Sequence, residues 1–234
     1  AAIESIKAGK TQYTSNTGMP ELRKLIARYI ENTIGLTYDP LKEIMVTVGA
    51  SEAIDIALRA ILNEGDEVLL PEPSYVSYAP CVTLTGGVAK IIRTLAENEF
   101  RVKPEDLEAA ITEKTKAVIL PYPNNPTGGI MERADLEALV PIIKKHDLLV
   151  ISDEIYSELT YGGDHSSIAS IEDMRERTVV INGFSKAFDD GLEIGLRPCS
   201  SAHYLANAQN PPVRDYVRAD AQPICRDGGF APRF

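Results

Sequence analysis

Two ionisable side chains stand just after short apolar runs, where they could do chemistry. Asp153, in the segment SDEIY, follows a run that ends at Ile151, and Tyr156 comes shortly afterwards. Lys186, in GFSK, follows the run Val179–Ile181. A carboxylate beside a buried strand is costly unless it meets a positive group, and an amine beside small and apolar residues can form an imine with an aldehyde. The alternatives are a structural helix cap for Asp153 and a solvated charge for Lys186.

Three further loop segments carry groups that bind anions or rings. The turn of Gly49, Ala50 and Ser51 offers backbone N–H groups and a hydroxyl to an anion such as phosphate. Ser51 could equally be no more than a helix cap. Tyr75, in PEPSY, presents an aromatic face, and Asn125, in PYPNNPTGG, presents an amide. Most loops of this composition are only turns.

The strands and helices predicted between these loop segments indicate where in the fold the loops come together. Continuous apolar runs predict strands buried on both faces, and segments of helical periodicity lie between them. The predicted strands are Ile44–Val48, Glu67–Leu70, Lys116–Leu120, Leu148–Ile151 and Val179–Ile181. The predicted helices are Pro20–Asn32, the segment from Ser51 to Ile61, Tyr75–Leu84, Lys103–Ala110 and Arg133–His146. This order predicts an α/β fold, a three-layer sandwich with a mostly parallel central sheet, whose strand ends bring the loop segments to one crevice.

Composition and charge exclude several classes of function. The 234 residues include 34 acidic and 24 basic side chains, a net charge of −10, which argues against nucleic acid or an anionic membrane as partner. No apolar run approaches the roughly 20 residues of a membrane span, and the N-terminus has no signal-peptide core, so we expect a cytoplasmic protein. The cysteines and histidines lack disulfide or metal-ligand spacing, so we expect no metal and only surface or core roles. They are Cys81, Cys199, Cys225, His146, His165 and His203.

Together the loop segments supply the groups that pyridoxal 5′-phosphate requires: an anion site, an aromatic face, an amide, a carboxylate and an amine. The phrases YTSNTGMPELR, TVGASEAID, PEPSYVSY, PYPNNPTG, SDEIYSELTY and INGFSKAF occur along the chain in that order. These phrases resemble the class I/II aminotransferase family of fold-type I pyridoxal-phosphate enzymes. Within that family they resemble the branch of aromatic, aminotransferase A and acetyl-diaminopimelate enzymes, almost continuously over residues 1–188.

The resemblance implies a role for each residue around the cofactor ring. Lys186 would form the imine with the cofactor aldehyde and would then carry a proton at the substrate α-carbon. Asp153 would pair with the pyridinium nitrogen and keep it protonated. Asn125 and Tyr156 would hydrogen-bond the phenolic oxygen of the ring, and Tyr75 would stack on the ring face. The implied reaction transfers an amino group from an L-amino acid to a 2-oxo acid.

The resemblance also implies how the cofactor phosphate is held. Ala50 and Ser51 would bind it from the first turn of a helix. Tyr13 would reach the phosphate of the neighbouring subunit, so the family member would be a homodimer with shared sites. Gly183 stands where some family members carry a serine whose hydroxyl binds the phosphate.

The similarity stops after Phe188. Family members continue with a phrase close to MTGWRLGYV, whose arginine binds the cofactor phosphate. At this point the present chain reads DDGLEIGLR. One set of synonymous codons for Asp189–Arg197, read one base later, spells MTGWRLGY. We therefore predict that residues 1–188 are a partial cofactor-binding large domain and that 189–234 are an out-of-frame translation. The chain then lacks the N-terminal arm, most of the small domain and its substrate-binding arginine, and resequencing the locus would test this.

Two other functions remain open on the sequence. A β-eliminating carbon–sulfur lyase of the same fold would use Lys186 and Asp153 in the same places. A non-catalytic relic or interaction fragment would need neither. A nicotinamide-binding domain is disfavoured because no G-x-G-x-x-G phrase follows a strand.

Overall fold

The computed structural model describes residues 2–161, 163–187 and 195–198. The helices in these residues are α1 (Ala2–Lys7), α2 (Pro20–Ile34), α3 (Gly49–Ile61), α4 (Tyr78–Leu84), α5 (Pro104–Ala110), α6 (Arg133–Lys145) and α7 (Phe184–Ala187). The strands are β1 (Ile44–Thr47), β2 (Glu67–Glu72), β3 (Val88–Arg93), β4 (Thr115–Leu120), β5 (Leu149–Asp153), β6 (Thr178–Gly183) and β7 (Gly195–Pro198). Short 3-10 turns lie at Ala96–Asn98, Ser157–Leu159, Ile168–Ser170 and Arg175–Arg177.

In the described part of the chain the strands form one sheet, in the order β1-β7-β6-β5-β4-β2-β3. β3, β2, β4, β5 and β6 pair in parallel. β7 runs antiparallel to both of its neighbours, β1 and β6. The predicted α/β class with a mostly parallel central sheet is therefore confirmed.

Alternate residues of each central strand face opposite sides of the sheet, which creates two separate cores. On one side Val118 of β4 belongs to the same buried cluster as Leu139 of α6. On the other side Ile119 of β4 and Ile151 of β5 join Leu58 of α3. Helices thus cover both faces, and the strands are apolar on both sides, which is why their sequences read as continuous apolar runs.

The helix α2 shows how local sequence sets an element's limits. Pro20 occupies the first helical turn, where its missing N–H costs no hydrogen bond. Leu22, Ile26 and Ile30 are buried along one face. The helix ends at Gly35, whose φ of 72° is the left-handed conformation that glycine adopts without steric cost.

Several elements depart from the sequence-based expectations, among them α7 and β7, which were not predicted. The predicted helix Tyr75–Leu84 begins only at Tyr78, so Tyr75 lies in the loop after β2. The strand β3 was not predicted, because it is the edge strand of the sheet and its pattern is broken by Lys90 and Arg93, so it lacks a continuous apolar run. The six-residue helix α1 was also not predicted, since it is too short to show helical periodicity.

Most of the predicted tail, residues 189–234, lies outside the described residues, as do Cys199, His203 and Cys225. Within the tail, β7 is described, and its pairing uses backbone groups that every residue except proline supplies in full. The proposed reading-frame change therefore remains a prediction. Cys81 is a free thiol. In the described residues, no helix combines the length and hydropathy needed to cross a bilayer.

Truncation of one core side chain tests the packing of α6 on the sheet. Leu139 is fully buried, so Leu139→Ala removes its apolar contacts and leaves a cavity. We expect the free energy of unfolding to fall by about 2–5 kcal/mol, measured by urea denaturation. Leu84→Ala is the control, because Leu84 is 70% exposed and its truncation should cost about 0.5 kcal/mol or less. Equal effects of the two changes would contradict this packing.

Candidate active site

A cavity of about 250 Å³ lies where the loops that follow β1, β2, β4, β5 and β6 meet. It contains every predicted site residue except Tyr13. The predicted residues that line it are Ala50, Ser51, Tyr75, Asn125, Asp153, Tyr156 and Lys186. The carboxyl ends of the parallel strands therefore converge as expected. Tyr13 is 98% exposed and does not line this cavity, so its role toward a neighbouring subunit remains a prediction.

The N-terminus of α3 lines one part of the cavity. Gly49 opens the helix with a φ of 76°, a left-handed conformation that strongly favours glycine. The Thr47 hydroxyl donates to the Gly49 carbonyl at 2.9 Å, and the Glu52 carboxylate accepts the Val48 N–H. The first N–H groups of a helix have no acceptor within it. This turn therefore presents donors to the cavity, beside the hydroxyl of Ser51.

The lining of the cavity also contains a buried carboxylate. Asp153, the last residue of β5, is 3% exposed. Its Oδ2 accepts the Tyr78 hydroxyl at 2.7 Å, and its Oδ1 accepts the Ile155 N–H at 3.2 Å. Burial raises the pKa of Asp153 to about 6 and outweighs the two hydrogen bonds, which lower it; the charge of Glu154 raises it slightly further. A cation brought into the cavity would relieve this cost.

Tyr78 is a site residue that the sequence analysis missed. It begins α4, is buried, and its ring meets Tyr75 edge-to-face, with ring centroids 5.6 Å apart. Burial and the nearby Asp153 raise the pKa of its hydroxyl, so that it stays a donor. The phrase PEPSYVSY contains both tyrosines, but nothing in the phrase shows which of them turns toward the carboxylate.

Removing the Tyr78 hydroxyl tests the balance of forces on Asp153. In Tyr78→Phe the pKa of Asp153 should rise further, because a hydrogen bond that lowers it is lost. A folded-state pKa raised above its unfolded value costs stability as the pH rises through it. We therefore expect the variant to lose about 1–3 kcal/mol of unfolding free energy at pH 8 and less at pH 4.5, by urea denaturation. The control is Tyr161→Phe, whose side chain is 85% exposed; a loss at Tyr78 independent of pH would contradict the assignment.

Polar groups along one side of the cavity can bind an oxygen of a ring. The Asn125 side-chain amide lies 3.5 Å from the Tyr156 hydroxyl, a long hydrogen bond that leaves both groups able to bind a third atom. Tyr75, 36% exposed, supplies an aromatic face. Ile54, Pro123 and Ile155 add apolar walls that the sequence analysis did not identify.

Lys186 lies in α7, directly after β6, and is exposed. It is the one cationic side chain among the described residues that line the cavity. Its neighbour Ser185 also lines the cavity and was not predicted as a site residue. In the described residues, no group of three or more His, Cys, Asp or Glu side chains could hold a metal ion.

The chain is similar in sequence to a known protein family and to curated proteins. A sequence model of the family "Aminotransferase class I and II" matches residues 1–225. YugH of Bacillus subtilis (strain 168), described as an aminotransferase, is 50% identical over 188 residues, which are 80% of this chain and 49% of YugH. An aspartate aminotransferase of Pyrococcus abyssi (strain GE5 / Orsay) is 47% identical over 188 residues, 80% of this chain and 48% of that enzyme.

Solved structures show the same fold. The aromatic aminotransferase from Pyrococcus horikoshii OT3 superposes with a TM-score of 0.86 at 41% identity, over 89% of this chain and 56% of that one. The chain therefore belongs to the class I and II aminotransferases, as its sequence phrases predicted. It spans about half the length of the curated relatives it matches.

Proposed function

We propose that this cavity binds pyridoxal 5′-phosphate and that the protein containing this chain transfers amino groups from an L-amino acid to a 2-oxo acid. The observation that carries the proposal is the buried carboxylate of Asp153, which shares one cavity with an amine and a helix N-terminus. The carboxylate of Asp153 favours a positive charge, as on a protonated ring nitrogen, and the helix N-terminus favours an anion such as the phosphate. The family membership and the aspartate and aromatic aminotransferases among the relatives support it.

The residues present fit this cofactor. Asp153 is buried and has no cationic partner within the described residues, so a protonated ring nitrogen would offset the cost of its charge. The first turn of α3, with Ser51, would hold the phosphate, and Tyr75 would contact the ring face. Asn125 and Tyr156 would donate to the ring oxygen.

When bound, pyridoxal phosphate supplies an electron sink for negative charge at the substrate α-carbon. Lys186 would attach to the aldehyde and, once released by substrate, would move a proton at that carbon. Asp153 would hold a proton on the ring nitrogen throughout. A homodimer in which Tyr13 reaches the neighbouring phosphate, and a cytoplasmic location, belong to the same proposal.

Covalent labelling tests the cofactor site directly. The chain is titrated with pyridoxal 5′-phosphate, the visible absorbance is followed, and the product is reduced with borohydride and mapped by peptide mass spectrometry. We expect a saturable band and one labelled residue, Lys186. Lys144, a surface lysine 2.5 Å from the carboxylate of Asp173, serves as the internal control for non-specific labelling. Equal labelling of both lysines, or no visible band, would overturn the proposal.

Product analysis separates aminotransfer from the carbon–sulfur lyase reaction. A transaminase requires a 2-oxo acid to regenerate the cofactor, and it releases an amino acid. A lyase would release pyruvate and a free thiol from cystathionine without a 2-oxo acid. Because the chain spans about half the length of the relatives it matches, the assay uses the longer protein that the proposed reading-frame restoration would give. Thiol release without an added 2-oxo acid would favour the lyase.

A further inference from the structure

A second buried carboxylate, Glu154, lies next to Asp153 but does not line the cavity among the described residues. Glu154 is 2% exposed. Its Oε1 accepts the hydroxyls of Ser152 at 2.8 Å and Ser167 at 2.6 Å, and its Oε2 lies 2.8 Å from Nε2 of His165. We call these four side chains the Glu154 clamp. A carboxylate this deeply buried is tolerated because each oxygen is hydrogen-bonded.

The clamp joins two points that are distant along the chain. Ser152 is the penultimate residue of β5 and Glu154 directly follows that strand, whereas His165 and Ser167 come after the loop 155–164. The backbone N–H of Glu154 also donates to the Ile181 carbonyl at 2.7 Å. Both ends of the loop are therefore tied to the sheet by hydrogen bonds to one charged group, which are stronger than bonds between neutral groups.

The loop closed by the clamp carries a cavity residue, Tyr156, and it has further contacts beyond that residue. Ser157 accepts the side-chain amide of Asn182 at 3.0 Å, and Glu158 accepts the Tyr29 hydroxyl. The loop also packs against α7, the helix that carries Lys186. The loop is therefore held at its base by the clamp and near Tyr156 by these contacts.

We propose that Glu154 is a positioning residue that holds the Tyr156 hydroxyl beside Asn125, and that it thereby sets the proton affinity of the cofactor attached at Lys186. The second half of this statement rests on the proposed function; the first half does not. Glu154 is also the sequence neighbour of Asp153, and its charge raises the pKa of Asp153 through space, so the test has to separate the two routes.

Hydrogen exchange of the cofactor-free chain tests the positioning. Glu154→Gln keeps the shape of the side chain but replaces one acceptor oxygen with a donor amide that cannot accept from the clamp. We expect the backbone amides of residues 155–160 to exchange about tenfold faster, the loss expected for hydrogen bonds to a charged group. Glu108→Gln is the matched control, because Glu108 makes a similar contact to His146, 3.0 Å, at a part-buried position away from the cavity. Unchanged exchange in Glu154→Gln would overturn the proposal.

A double-mutant cycle on the cofactor-loaded chain separates the routes. Loss of the Tyr156 hydroxyl in Tyr156→Phe should raise the pH midpoint of the visible band, by about tenfold in proton affinity. Glu154→Gln should raise it in the same direction, and should add nothing in the Tyr156→Phe background. A full additional shift in that background would mean that Glu154 acts through Asp153, and would overturn the proposal.

A second variant and the separate readouts allow the positioning role of Glu154 to be tested independently of the proposed function. If Glu154→Gln fails to fold, Ser167→Ala removes a single clamp bond and should give a smaller increase of exchange in the same residues; no increase would overturn the proposal. If the unaltered chain shows no visible band, the proposed function fails, whereas hydrogen exchange still decides the role of the clamp.

Discussion

Asp153→Asn is expected to stabilise the cofactor-free chain while removing most of the activity. The pKa of Asp153 is raised from 3.8 to about 6, so its ionised form costs stability in the folded state. At about 1.4 kcal/mol per pKa unit the full cost is roughly 3 kcal/mol. Asparagine carries no charge but keeps only one oxygen for the Tyr78 and Ile155 donors, so we expect a net gain of about 1–3 kcal/mol at pH 8.

The size of the stability difference between Asp153→Asn and the unaltered chain depends on pH. Below pH 3.8 the carboxyl of Asp153 is protonated in both the folded and the unfolded state, so the charge contributes no difference. The advantage of the asparagine should appear as the pH rises from about 4 to about 6 and should be constant above that. Urea denaturation of both chains across this range measures it. A variant less stable than the unaltered chain at pH 8 would contradict the burial argument.

The same substitution should lower aminotransfer by at least about 100-fold, which is typical for removal of a preorganised electrostatic partner. An amide cannot hold a positive charge on the ring nitrogen as a carboxylate does. The measurement of this half of the prediction uses the longer protein that the proposed reading frame would give, together with an amino acid and a 2-oxo acid. The control is Asp173→Asn, since Asp173 is an exposed surface carboxylate paired with Lys144. Normal turnover in Asp153→Asn would contradict the role of the charge.

Lys186→Ala and Lys186→Arg should both abolish covalent attachment of pyridoxal phosphate. Alanine removes the amine, whereas arginine keeps the positive charge but cannot lose its proton and attack an aldehyde. Comparing them separates bond formation from charge attraction. The measurement is the visible band and the borohydride-stable mass increase, and we expect neither in either variant.

Lys144→Ala is the matched control for Lys186, because it removes another lysine from the surface. Its band should be unchanged. Both Lys186 variants should still bind the cofactor non-covalently, which equilibrium dialysis measures, since the first turn of α3 and Asp153 remain. A full visible band in Lys186→Arg would show that another lysine is the attachment point.

The elements that could be predicted from the sequence are those whose buried positions give a clear pattern of apolar residues. Strands such as β4 and β5 are covered on both faces, so they read as unbroken apolar runs. Parallel pairing then placed the loops after them at one edge, and the cavity residues met there. The strand β3 was not predicted, because it lies at the edge of the sheet and only Ile92 among its residues is buried, so it has no continuous apolar run.

The contacts within the site were harder to foresee, because they depend on which way a side chain turns. Tyr75 and Tyr78 lie three positions apart in one phrase, yet only the second donates to Asp153. Likewise His165 has no metal-ligand spacing, and its contact with Glu154 spans a loop whose path no local pattern reveals. Side-chain orientation in loops is set by tertiary packing, which the periodicity of one strand or helix does not encode.

The antiparallel strand β7 has a consequence for how the protein is made. It lies between β1, which precedes α3, and β6, which precedes Lys186. On the ribosome, both of these strands emerge before the strand that separates them. The strand β7 must therefore insert between two strands that precede it in the chain, so we expect β1 to join the rest of the sheet only after β7 has been made.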